Sequence, residues 1–196
     1  MDWREALQRL MAGNRRFVEG KSIQPHRAFP LRHRWSDDAR PLAVILGCSD
    51  ALVSPELIFD QGFGDLFVIR VAGNVVARSV LGSMQFAGAY LGTQLFIVLG
   101  HEGCGAVEAA LEEHRGRAGQ PGSIEVLMRL IRPALNDLDP QLEGPAALMA
   151  AVEANVRGSV RHILAMPGVR KATDEERIQI LGAVCELESG LVRFLD

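Results

Sequence analysis

A chain of 196 residues, 48% of them hydrophobic, is long enough for one domain with a real core and has an ordinary globular composition. Its formal charge of −3 gives no basis for nucleic-acid binding or a polybasic membrane patch, and no apolar run reaches the roughly 18 residues of a membrane-spanning helix. Its three cysteines, an odd number, argue against a disulfide framework and for a reducing compartment, which predicts a cytoplasmic protein.

The opening Met1-Asp2-Trp3-Arg4-Glu5 reads as the start of a charged amphipathic helix rather than a signal peptide. Trp3, Ala6, Leu7, Leu10, Met11, Phe17 and Val18 recur at roughly helical spacing over residues 2–19. That face needs cover, on its own domain or on a partner subunit. Residues 20–40 carry prolines and the basic residues His26, Arg27, Arg32, His33 and Arg34 with little periodicity. They read as an extended connecting arm, with a place at the mouth of a site as the alternative.

Beyond the arm, apolar runs alternate with helical patterns. Leu42-Ala43-Val44-Ile45-Leu46 predicts a buried strand over 42–47, and Leu95-Phe96-Ile97-Val98-Leu99 another over 94–99. A strand over 66–71 lies between them, after a short helix over 55–59 with Pro55 in its first turn. Gly73 supplies a backbone turn that a side chain would hinder. Helices follow over 78–91, 104–114, 123–136 and 145–165, then a turn at Pro167-Gly168 and a polar segment. The last elements are strands over 177–184 and 191–195, joined by a turn at Glu188-Ser189-Gly190. This order predicts a single α/β domain over 1–196. Its sheet is mostly parallel, four strands plus a short C-terminal edge strand, flanked by helices, with an N-terminal helical arm over 1–40.

The chemistry gathers at two strand ends. Cys48 and Asp50 leave the carboxyl end of the first strand; His101 and Cys104 leave that of the third. Sites in open α/β sheets form in the crevice beyond those ends. Thiolate, imidazole and carboxylate are a zinc ligand set, and a zinc held by three of them keeps a fourth position for water, whose pKa falls to about 7. Either motif alone is weak; both at equivalent strand ends point to a metal site, catalytic or structural.

Several stretches together resemble the β-class carbonic anhydrases: Ala12-Gly13-Asn14-Arg15-Arg16-Phe17-Val18, Ala43 through Asp50, Phe59 through Asn74, Gly100 through Val107, and Ile180-Leu181-Gly182-Ala183-Val184. The resemblance implies zinc held by Cys48, His101 and Cys104, and reversible hydration of carbon dioxide to bicarbonate. It also implies a homodimer or homotetramer in which N-terminal helices cross to the partner.

The sequence departs from that family where the substrate would sit. The family motif Cys-x-Asp-x-Arg here reads Cys48-Ser49-Asp50-Ala51-Leu52. The missing arginine forks onto the aspartate in the family and holds it off the metal. Without it, Asp50 is expected either to act in catalysis or to swing in as a fourth ligand and close the centre. Ala39 and Cys185 replace a frequent glutamine and a frequent aromatic residue; with Leu52 and Gly105 they are expected to line the pocket. The functional reading is zinc-dependent carbon dioxide hydration, weakened by Leu52. The alternatives are a zinc enzyme for a less polar electrophile, such as carbonyl sulfide or carbon disulfide, and a silent zinc-binding homologue.

Overall fold

The computed structural model describes residues 1–23, 40–117 and 122–195. Along the chain run α1 (Trp3–Val18), β1 (Ala43–Gly47), α2 (Pro55–Ile58), β2 (Leu66–Arg70), α3 (Arg78–Tyr90), β3 (Leu95–His101), α4 (Gly105–His114), α5 (Ile124–Ile131), α6 (Gly144–Leu164), α7 (Pro167–Asp174), β4 (Gln179–Cys185) and β5 (Val192–Leu195). The five strands form one sheet in the order β2-β1-β3-β4-β5. The first three pairings are parallel and β5 closes the edge antiparallel to β4, as the sequence predicted.

β1 and β3 are buried along their whole length, which is why both read as unbroken apolar runs. Alternate residues serve opposite layers. Val44, Leu46, Phe96 and Val98 join the core under α3 to α6, while Ala43, Ile45, Leu95, Ile97 and Leu99 face α1 and α2. Gly100 is a contact point for α6: a Cβ there would lie 2.6 Å from Val156 Cγ2. Its absence lets that helix settle onto β3 just before the site.

α1 starts cleanly because Asp2 Oδ1 accepts the Glu5 N–H at 2.8 Å. Part of its face is covered by its own domain: Ala6 and Leu10 are buried in the α2 layer, while Met11 and Val18 are exposed. Asn14, also buried, fastens the helix to the far end of the chain. Its Nδ2 donates to the carbonyls of Ile58 (3.1 Å) and Gly190 (2.8 Å), and its Oδ1 accepts from the Val192 N–H at 2.9 Å. Asn14→Ala leaves three main-chain groups without partners; the expected loss is about 4 kcal/mol. That corresponds to a fall in Tm of roughly 8–16 °C, read by thermal denaturation.

The structure corrects the sequence reading in three places. The polar segment after Pro167 is a helix, α7, started by proline at its first turn, where the missing N–H is not needed. The helix expected over 123–136 ends at Ile131 and tightens into a 3-10 turn over Arg132–Leu135, because Pro133 cannot donate to the α-helical ladder. β3 and β4 run on to His101 and Cys185, which makes these two residues register neighbours. Most of the arm, with His26, Arg27, Arg32, His33, Arg34 and Ala39, lies outside the described residues.

Candidate metal centre

β1 and β3 are adjacent and parallel, so the turn after Gly47 and the end of β3 emerge side by side. Cys48, His101 and Cys104 meet there, all buried, with their ligand atoms within 4.8 Å of one another. Cys48 Sγ and Cys104 Sγ stand 4.0 Å apart. His101 Nδ1 lies 2.8 Å from the Glu102 carbonyl oxygen. A carbonyl only accepts, so Nδ1 carries the proton and Nε2 is left with a lone pair. Nε2 is buried and has no hydrogen-bond partner among the described residues. A folded protein rarely strands a buried imidazole nitrogen beside two thiols. A tetrahedral N/S cation such as zinc fits the place, and the Glu102 carbonyl is the kind of outer support that fixes a ligand histidine.

The surroundings favour negative charge on sulfur. Gly73 N–H points at Cys48 Sγ, 3.4 Å away. That amide is presented by a turn in which Gly73 has φ 69°, and a Cβ there would meet Ile131 Cδ1 at 2.9 Å. Asn155 of α6 holds the same turn by donating to the Gly73 carbonyl at 2.9 Å. Cys104 caps α4, whose first amides, from Val107 and Ala106, favour its thiolate. Without a cation the two thiols share one proton. The Cys104 S–H supports the Cys48 thiolate and pulls its pKa well down, and the same bond, with burial, pushes Cys104 up. Burial works against charge on His101, but the facing Cys48, the Glu102 carbonyl and the nearby Cys48 and Asp50 charges outweigh it, and its pKa is raised.

A cation must therefore displace the proton of Cys104. Metal affinity is expected to fall as the pH falls, by about tenfold per unit for each proton displaced. Chelator competition at pH 6, 7 and 8 measures this, and a flat profile contradicts it.

Asp50 stands apart from the three. It is half-buried and is not one of the clustered ligand atoms among the described residues. Its Oδ1 accepts the Leu52 N–H at 2.9 Å, closing a tight turn on itself. Leu52 contributes that amide, but its side chain is 74% exposed. Gly105 is the exposed first residue of α4. Cys185 is buried beside His101 in the sheet; burial, with the charges of Glu102 and Glu186, pushes its thiol up to about 11, so it stays neutral. Arg78 faces solvent at the start of α3. Arg70, by contrast, reaches the site: its Nε donates to the Cys48 carbonyl at 2.8 Å and its Nη2 to the Asp50 carbonyl. From the sequence Arg70 and Arg78 are candidates, by position near strand ends, to stand in for the missing arginine, but nothing there points to this main-chain contact or to Asn155. Only Gly73 was visible there, as a turn.

A protein-family model described as carbonic anhydrase matches residues 43–192, which contain every residue of this centre. The chain belongs to the β-class carbonic anhydrases. The family member named carbonic anhydrase 2 from Mycobacterium tuberculosis is 34% identical over 190 residues, covering 94% of this chain and 89% of that one. The carbonic anhydrase of Pseudomonas aeruginosa is 33% identical over 167 residues, covering 80% and 74%. Among solved structures, the β-carbonic anhydrase CcaA superposes with a TM-score of 0.75 at 27% identity, over 97% of this chain and 87% of that chain. A β-carbonic anhydrase from Sordaria macrospora, one of two described as tetrameric, shares the fold with a TM-score of 0.74 at 20% identity over 97% of both chains. Carbonic anhydrases of this family are zinc lyases, and the Cys48, His101 and Cys104 group could hold such a metal.

Proposed function

We propose that this chain binds zinc through Cys48 Sγ, His101 Nε2 and Cys104 Sγ and catalyses the reversible hydration of carbon dioxide. The buried, unpartnered Nε2 beside two thiols carries this reading. Zinc bound there supplies a Lewis acid that makes hydroxide available near neutral pH. The protein's own share is distinct. The Glu102 carbonyl orients the imidazole, Gly73 N–H steadies Cys48, and the first turn of α4 steadies Cys104. The Asp50 carboxylate, steered by the Leu52 amide, stands as a hydrogen-bond and proton acceptor at the rim of the centre.

One observation favours a second reading, in which Asp50 closes the centre and the protein is silent: position 52 is leucine, and the Asp50 carboxylate is met there by a main-chain amide rather than by a cation. Stopped-flow carbon dioxide hydration between pH 6.5 and 9, with zinc measured in the same sample, separates the two. Activity rising through one pKa supports the enzyme. One zinc per chain without activity supports closure or a different small electrophile.

A homo-oligomer is part of the proposal. Phe63 (63% exposed) precedes edge strand β2, and Phe86 and Tyr90 (49% and 78% exposed) lie on α3, which packs beside it. The stacked, exposed Phe86 and Tyr90 rings suit a second copy of the chain. A cytoplasmic place is supported by three free cysteines. No helix among the described residues is long and apolar enough to cross a membrane.

A further inference from the structure

We infer that Arg70 is a positioning residue of the metal centre, holding from the main-chain side the turn that carries both Cys48 and Asp50. The inference rests on the zinc reading above. β2 brings Arg70 level with Gly47 in the register of the sheet, and the strand remains tied to that level where the Val71 N–H meets the Gly47 carbonyl at 3.1 Å. From there the guanidinium crosses to the neighbouring turn. Nε donates to the Cys48 carbonyl at 2.8 Å and Nη2 to the Asp50 carbonyl. These two carbonyls bracket Ser49, so one rigid planar group fixes the path of the main chain through the ligand and the acid together. A lysine, with a single ammonium on a flexible stem, can satisfy one carbonyl well but cannot impose the fork.

The fork matters more here because position 52 is leucine. Among the described residues no side-chain cation pairs with the Asp50 carboxylate, and its direction follows the main chain: Oδ1 is held by the Leu52 N–H, and the turn that presents this N–H is held by Arg70. Release of the two carbonyls frees the turn to rotate. Cys48 Sγ then loses its fixed place opposite Cys104, and Asp50 gains the freedom to approach the cation. Arg70 thus acts through two other residues and touches neither metal nor substrate.

The test uses cobalt(II) in place of zinc, in the full-length protein, with azide as an anionic probe of an open coordination position. The wild-type protein is first required to bind one cobalt per chain with thiolate charge-transfer absorption; failure there overturns the zinc reading itself and is recognised before any variant is made. Given cobalt binding, azide is expected to shift the visible bands of the wild type. In Arg70→Ala, cobalt affinity is expected to fall about 10- to 100-fold, as for other outer supports of metal ligands, and the azide response is expected to disappear. Arg70→Lys is expected to fall between the two, and it keeps the test decisive if the alanine variant does not fold, with far-UV circular dichroism as the control. Affinity and azide response equal to the wild type in a folded Arg70 variant overturn the inference. So does a wild-type cobalt protein that ignores azide, since Asp50 is then already on the metal despite Arg70.

Discussion

Cys48→Ser is expected to strip the centre of its metal and to lower carbon dioxide hydration by at least about a thousandfold, the largest effect of any single change. Serine is close to cysteine in size and leaves the surrounding packing almost intact. The hydroxyl, however, does not ionise at neutral pH, so the site loses one of its two thiolates. It also loses the sulfur that Gly73 N–H and the Cys104 thiol now face. The remaining His101 and Cys104 cannot complete a tetrahedron. Zinc content after dialysis against a chelator measures the first half of this expectation and stopped-flow hydration the second. A metal-free wild type should share the second defect and recover on zinc addition, whereas the variant should not. Zinc retained at one per chain in Cys48→Ser contradicts the ligand assignment.

Leu52→Arg is expected to act in the opposite direction and raise hydration by about 30- to 1000-fold, the equivalent of about 2–4 kcal/mol for a preorganised polar pair. The leucine side chain is mostly exposed, so its removal takes little from the core. The existing restraint on Asp50 is one amide on one oxygen. Arg70 fixes the main chain beneath it, and among the described residues no cation meets the second carboxylate oxygen. An arginine at 52 places a guanidinium within reach of that oxygen, neutralises it and turns the carboxylate away from the cation. Stopped-flow rates at equal zinc content decide the matter. Rates equal to the wild type place the defect elsewhere in the pocket, with Cys185 the next position to change.

The sheet and the convergence of Cys48, His101 and Cys104 were legible because both follow from local pattern. A strand buried on both faces must be apolar throughout, and a turn after each such strand can lead only to the same edge of a parallel sheet. What the pattern did not carry was contact between distant side chains and main chain. Arg70 reads as the polar end of a strand, and nothing in its neighbours says that its guanidinium crosses to the carbonyls of Cys48 and Asp50. Asn155 sits inside a long helix like any surface amide, although it is buried against the Gly73 turn. Leu52 was noticed for a side chain that faces solvent; its amide is what engages Asp50. The helix after Pro167 was missed for a simpler reason. Its eight residues bury little apolar surface, Ala172 being the one buried side chain, and the segment is polar overall.

Asn14 joins the beginning of the chain to its end. Its partners at Gly190 and Val192 lie 176 and 178 residues away. The ribosome delivers α1 long before β5, so the helix is made before the strand that holds it exists. Until then its apolar face has no finished surface to lie on, and its docking awaits Gly190 and Val192. A chain cut short before Gly190 would keep both strands of the metal centre and still present an unseated helix to chaperones and proteases.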